Sequence, residues 1–380
     1  MAGGTDGGRV PHDDAAPTPI AVDAMGGDHA PAEIVAGAAA AAKTGIPVLL
    51  SGRPGQLRPL LVRHGAGSNV RIVQAEDSIA MGEGALASWR RDRSSIAVAC
   101  QLVRRGQAAA VVSAGSTGGI VATARLRLRA LPGIQRPALA VVLPTRPGPT
   151  LLLDAGAIAD PKPEMLVQFA QLGVAYAQTA YGITEPRVGL LTIGTEPGKG
   201  NKLAVRAHEL LDADPPHGGM PISFVGNVEG GDLLTGKVDV IVTDGFTGNV
   251  ALKTLEGTAG FAARQLREAL AGTRTARIGT LFQRRGLREL AERMDSDSYG
   301  GAALLGLEAT VVIAHGAAKA RAVEAACVLA ASLVRGQITE KINERLGSPR
   351  AGHGHFLRRP LPEGTRPRHP AAGRELPRRR

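Results

Sequence analysis

The chain predicts an α/β protein, a mostly parallel sheet with helices on both faces. Three observations predict it. Short apolar runs rich in β-branched residues alternate with helical patterns from Ile20 to about Leu346. Several of those runs end in glycine-rich turns that open a helix, as strands of an open parallel sheet do. The 380 residues are 44% hydrophobic, enough to bury a sheet on both sides. There is no 20–50-residue repeat of the kind that marks a solenoid.

Residues 1–17 are expected to be a disordered extension. Ile20–Val22 is the first strand, and Asp23 closes it. Gly26-Gly27-Asp28 makes a tight turn, and Pro31 with Glu33 starts an Ala-rich helix. Asp23, Asp28 and His29 thus gather at a strand's carboxyl end. There His29 is a general base or anion ligand, or simply bonds the loop. Val48–Leu50 and Val70–Val73 are the next strands, with Gly52 and Pro54 in the turn between them. Arg90-Arg91-Asp92-Arg93 is a solvated helix face or an anion or carrier contact.

Ser95–Arg105 reads as an amphipathic helix and Ala109–Ser113 as a strand. Gly115-Ser116-Thr117-Gly118-Gly119 follows and precedes a helix over Ile120–Leu131. The hydroxyls and N–H groups of this turn can cradle a phosphate. It is not a P-loop, because no Gly-Lys-Ser/Thr follows. Ala138–Leu143 and Leu151–Leu153 are strands, the second running into Asp154. Met165–Tyr181 is a helix. Arg187–Ile193 is a strand feeding Gly194–Lys202, which carries Lys199 and Asn201. A lysine beside such a turn neutralises a phosphate or a developing oxyanion. A helix over Leu203–Leu211 and a strand over Ile222–Val225 lead to the stretch that organises the chain.

That stretch is Gly226–Gly257. Gly226-Asn227-Val228-Glu229 precedes a buried strand, Val238–Val242. Thr243–Gly248 is turn chemistry holding Asp244, Thr247 and Gly248, and Asn249 opens a long helix. First-turn N–H groups have no helical partner, so such a turn is either an anion site or an ordinary strand-to-helix connection. Thr275–Met294 is basic and amphipathic, suited to an anionic membrane surface or to packing against the body or a second subunit. Asp295–Gly306 is a loop, Thr310–Ala314 the last strand, and Lys319 to about Leu346 a closing helix.

Composition narrows the function. The net charge is +11, but nine arginines and two glutamates between Ser348 and Arg380 supply +7 of it. That tail, residues 348–380, is expected to be disordered. Aromatic residues are 3% of the chain, too few for base stacking, so no nucleic-acid partner is expected. Cys100 and Cys327 lack metal-type spacing and read as buried free thiols. No metal and no cofactor is expected. With no signal segment and no run of 18 apolar residues, the expected location is cytoplasmic.

Taken together, these blocks resemble the bacterial phosphate acyltransferase family, the acyl-carrier-protein:phosphate acyltransferases. The matching residues are Ala21–Pro31, Ser113-Ala114-Gly115, Leu152-Leu153-Asp154, Arg187–Leu191, Thr195-Glu196, Lys199-Gly200-Asn201, Gly226–Glu229, Thr243–Lys253, Tyr299-Gly300-Gly301 and Ala314-His315-Gly316. The resemblance implies a three-layer α/β/α fold over 18–347, similar to isocitrate dehydrogenase and phosphotransacetylase. It implies a homodimer with an amphipathic helical pair over 259–295 touching the membrane through Arg277, Leu281, Phe282, Arg284 and Arg288. The implied reaction takes acyl-carrier protein and inorganic phosphate to acyl phosphate, which passes to a membrane acylphosphate:glycerol-3-phosphate acyltransferase for phospholipid synthesis. Two positions depart from the family pattern. Ser116 and Ile158 stand where the family has Asn, and Ile158 has no polar side chain to offer a ligand.

Phosphate is itself a nucleophile, so this chemistry needs arrangement and charge and no attacking side chain. The expected catalytic residues are Lys199, Asn249 and His29. The expected phosphate or substrate contacts are Asp23, Gly26, Gly27, Asp28, Gly115, Ser116, Thr117, Gly118, Asp154, Asn201, Asn227, Asp244, Thr247 and Gly248. The alternatives are a short-chain phosphotransacetylase using coenzyme A and a non-catalytic membrane scaffold with the same fold. An oxidoreductase fits less well, since no Gly-x-Gly-x-x-Gly follows a strand with a downstream acid.

Overall fold

Eleven strands join in one sheet, in the order β3-β2-β1-β4-β11-β10-β5-β6-β9-β7-β8. The structure is a computed structural model. It describes residues 17–66, 69–83, 90–213, 220–271, 283–287 and 300–347. These lie in one unit, Met1–Arg350, and a second unit, Ala351–Arg380, is outside the described residues. The strands are β1 Ile20–Asp23, β2 Val48–Gly52, β3 Val70–Gln74, β4 Ala110–Ser113, β5 Ala138–Leu143, β6 Thr150–Leu153, β7 Arg187–Leu191, β8 Ser223–Val228, β9 Val240–Val242, β10 Ala302–Leu305 and β11 Thr310–Ile313. The helices are α1 Ala32–Lys43, α2 Pro54–Arg63, α3 Ser95–Arg104, α4 Thr117–Arg127, α5 Pro163–Tyr181, α6 Lys202–Leu211, α7 Gly245–Ala271, α8 Ala320–Arg335 and α9 Ile338–Arg345.

The sheet is mostly parallel, as predicted. Three pairings are antiparallel: β11 with β10, β10 with β5, and β5 with β6. An odd number of reversals means that β6, β9, β7 and β8 run opposite to β3, β2, β1, β4 and β11. Among the described strands β5 alone joins the two halves of the sheet, pairing through residues 138–140 to β10 and through 141–143 to β6.

Alternation along the strands splits the core between the two faces. Ile20, Val22, Val112, Leu151, Leu153, Val240 and Val242 pack under α1, α5, α6 and α8. Ala21, Val111, Leu139 and Leu304 pack under α3 and α4 on the other face. Leu152, Ile241 and Val228 continue that second face toward α7. Leu252 of α7 packs against both of the latter clusters, so α4 and α7 share one face.

Several boundaries differ from expectation, each for a local reason. α4 begins three residues early because Ser116 Oγ caps it, accepting the Gly119 N–H at 3.3 Å. α7 begins at Gly245, because Asp244 caps the segment read as a turn. β8 continues through Gly226-Asn227-Val228, with an extra residue opposite Val188–Leu190 and Gly226 at φ +92°. Ala302–Leu305, read as loop, is a fully buried strand, and Pro54 begins a helix, α2. The closing helix breaks at Gly336-Gln337, where Gln337 is left-handed at φ 54°. Among the described residues no single helix is long and apolar enough to cross a membrane.

Candidate active site

The candidate residues fall into two groups. The first lies at the carboxyl ends of β1, β4 and β11. Asp23 is buried, and its carboxylate accepts the Ser113 hydroxyl at 2.7 Å and the Met25 N–H at 3.2 Å. Ser113 Oγ in turn accepts the Gly115 N–H at 3.1 Å. Burial pushes the Asp23 carboxyl above its ordinary range, against hydrogen bonds from Ser95, Ser113 and the Met25 and Gly26 backbone. Gly26 must lack a side chain, since an added Cβ would stand 2.5 Å from Asp23 Oδ2 and 3.0 Å from the Gly115 nitrogen. The Asp28 N–H donates to the Gly316 carbonyl at 2.8 Å, bringing in the loop after β11. Asp28, His29, Thr117 and Gly118 are exposed beside this junction. Thr117 and Gly118 are the first two residues of α4, so their N–H groups have no acceptor within the helix. Nothing stands within 4 Å of a Cβ built on Gly118. The turn is therefore open to a small anion.

The second group lies at the carboxyl ends of β6, β7 and β9. Asp154 has no exposure, and its carboxylate accepts four backbone N–H groups. Leu139 and Ala157 donate at 2.9 Å, Gly156 at 3.1 Å and Ile158 at 2.7 Å. Gly248 sits directly against the Asp154 carbonyl oxygen, which an added Cβ would overlap. Asn249 reaches across with Nδ2 to the Ala155 carbonyl at 3.3 Å. The Thr247 N–H and hydroxyl both donate to Asp244, at 2.8 and 2.7 Å. Asn201 caps α6 by accepting the Ala204 N–H at 2.9 Å. Asn227 is buried and bonds His208 and the Glu196 carbonyl. Lys199 is exposed, its side chain lying over Gly194.

Asn201, Asp244 and Thr247 line one cavity of about 130 Å³ with Gly200, Thr192 and Thr243. Its apolar lining includes Leu166, Leu190, Leu203 and Ala204. Two helix starts, those of α6 and α7, thus meet at one cavity; Lys199 is next in sequence to its lining, and Asn249 stands two residues beyond Thr247.

Several expected ligands have other duties. Asp23, Asp154 and Asn227 are buried and spend polar atoms on protein partners, so in this structure they shape loops. Asp244 and Asn201 are helix caps. The N–H groups of Thr247 and Gly248 both go to Asp244, so neither is left for phosphate. Asn249 is the fifth residue of α7 and does not open it. Ile158 contributes its backbone: its N–H goes to Asp154 and its carbonyl accepts the Gly245 N–H at 2.9 Å. Ser113 and His208 were missed by sequence reasoning, because nothing in the sequence shows which buried groups they face. Three residues of the basic cluster are paired with neighbours outside it. Arg91 bonds Asp77 and Glu83, Arg93 bonds Glu76, and Asp92 bonds Arg127. Both thiols are buried, pushed up to about 12 by that burial, and are not nucleophiles. Of the residues expected at the membrane, Arg284 is described and exposed, while Arg277, Leu281, Phe282 and Arg288 lie outside the described residues.

A family model described as "Fatty acid synthesis protein" matches residues 18–341. A curated protein of Thermobifida fusca named phosphate acyltransferase is 63% identical over 329 residues, covering 86% of this chain and 91% of its own. The chain belongs to the phosphate acyltransferase family. This is a family of transferases, and a Thermus thermophilus phosphate acyltransferase is 46% identical, covering 87% of this chain and 98% of its own. Among solved structures, a Streptococcus pyogenes phosphotransacetylase superposes with a TM-score of 0.56 at 17% identity, covering 84% of this chain and 94% of that one. At that identity the likeness is one of fold, and it agrees with the α/β/α architecture expected of phosphate acyltransferases.

Proposed function

We propose that the protein transfers a long-chain acyl group from acyl-carrier protein to inorganic phosphate. The products are the free carrier thiol and an acyl phosphate destined for phosphatidic acid. The geometric observation that carries this reading is the open first turn of α4, Ser116–Gly118, whose preceding residues Ala114-Gly115 lie against the side-chain-free Gly26-Gly27 backbone. Such a helix start holds a phosphate dianion. Membership of the phosphate acyltransferase family supplies the acyl half.

A phosphate oxygen attacks the thioester carbonyl carbon. The new C–O bond forms, the C–S bond breaks with its electron pair on sulfur, and the thiolate takes a proton. We assign that proton to His29, which is exposed in the loop after β1. Lys199 neutralises the tetrahedral oxyanion, and the second Nδ2 hydrogen of Asn249 donates to it. The test is incubation with palmitoyl-acyl-carrier protein and phosphate, trapping acyl phosphate with hydroxylamine, with acetyl-coenzyme A as the second arm. Turnover of the carrier thioester supports the reading. Turnover of acetyl-coenzyme A alone replaces it with a phosphotransacetylase. Lys199→Ala and Asn249→Ala are each expected to lower the rate about 10²–10³-fold.

The dimer and the membrane belong to the same reading. Phe246, Val250 and Phe261 of α7 are 67%, 51% and 58% exposed. At 3.6 residues per turn they fall on one stripe, which supports α7 as the subunit contact. The basic segment beyond α7 supports peripheral attachment to an anionic cytoplasmic leaflet, near the acyltransferase that consumes acyl phosphate.

A further inference from the structure

We infer that His208 and Asn227 are positioning residues that hold the Lys199 turn through a directed hydrogen-bond relay. This rests on the catalytic part given to Lys199 above.

The turn Gly194–Gly200 is closed by its own backbone, the Lys199 N–H donating to the Glu196 carbonyl at 3.0 Å. The same carbonyl accepts Asn227 Nδ2 at 2.7 Å. Asn227 Oδ1 lies 2.9 Å from His208 Nδ1. His208 is buried in α6 and backed edge-on by the Phe224 ring, at 5.2 Å between centroids. The bulge at Gly226 puts Asn227 in register with Leu190 and leaves its side chain between α6 and the turn.

Donor and acceptor chemistry fixes the direction of the relay. A carbonyl only accepts, so the Asn227 NH₂ group faces Glu196 and its oxygen faces His208. That oxygen also only accepts, so His208 carries its proton on Nδ1. The relay therefore runs from imidazole to amide to the carbonyl that closes the Lys199 turn. Its effect is to remove freedom from an exposed loop whose lysine must meet an oxyanion. Misplacement by about 1 Å can cost a hundredfold in rate.

Asn227→Asp keeps the shape and the acceptor toward His208 but sets an oxygen against the Glu196 carbonyl. His208→Phe removes the donor and keeps a ring against Phe224. Both are measured below their melting temperatures, alone and combined with Lys199→Ala. The expected result is a tenfold to hundredfold fall in kcat for each, with the acyl-carrier-protein KM within about twofold. In the Lys199→Ala background each loses no more than about twofold, because the residue being positioned is gone. Equal fold losses in both backgrounds, or no loss beside an intact Lys199, would overturn the inference. ¹⁵N NMR of His208 in the unaltered protein needs no turnover. A proton on Nδ1 is expected, and a proton on Nε2 alone overturns the relay. If the unaltered protein makes no acyl phosphate, the function proposed above fails by itself, and the tautomer still decides the relay.

Discussion

Asp23 shows what burial does to a single carboxyl at the edge of a site. Its folded value is raised above the ordinary 3.8 by desolvation, which its hydrogen bonds only partly offset. A raised value means that the folded state holds the proton more tightly than the unfolded state. The contribution of Asp23 to stability is then greatest below pH 3.8 and is lost as pH rises through the folded value. Asp23→Asn removes that dependence, and the Ser113 hydroxyl can turn to accept from the new amide. Denaturant titrations should show wild type losing ground to Asp23→Asn as pH rises from 3 to 7; a gap that moves the other way contradicts this. Asp239 behaves oppositely. Desolvation raises it, but the Arg187 side chain and backbone outweigh that and hold it below 3.8. Its stabilising share is present above pH 3.8 and lost as pH falls through the folded value. Asp239→Asn should therefore close its gap to wild type only in strong acid.

At the scale of the element, glycines near the starts of two helices predict different outcomes for one substitution. Gly248→Ala puts a methyl group into the Asp154 carbonyl, so α7 must shift away from β6. The expected cost is about 1–3 kcal/mol, read as a lower denaturant midpoint. Gly118→Ala meets nothing and should leave the stability within about 0.5 kcal/mol. It should still raise the KM for phosphate about tenfold if the α4 turn holds the dianion. An unchanged KM would move phosphate elsewhere. These elements also show what the sequence could reveal. Ala138–Leu143 was legible to the residue, because six apolar residues bounded by turn signals have one economical reading. Ala302–Leu305 was not, since four apolar residues after two glycines look like loop until β5 and β11 are beside them. The start of α7 was hidden by glycines that serve close packing. Asp23, Asp154 and Asn227 stood out as polar residues at strand ends, but whether such a residue faces a ligand or a loop depends on neighbours far away in the chain.

For the whole molecule, the exposed stripe on α7 bears on assembly. Phe261→Lys should shift sedimentation from dimer toward monomer, since a charge replaces an aromatic ring at the proposed contact. A dimer unchanged at micromolar concentration would place the contact elsewhere. Reversing charge at Arg284 should weaken flotation with anionic vesicles and leave neutral vesicles unaffected.

The connection through β5 has a mechanical consequence. Three of its residues bond one half of the sheet and the next three bond the other. If substrate draws the Ser116 turn and the Lys199 turn closer, the sheet must bend between Ala140 and Val141, the seam where one partner strand gives way to the next, against the hold of Arg345 in α9 on Gln171 in α5. Stiffness at that seam would then govern how fast the jaws meet, far from any group that touches phosphate.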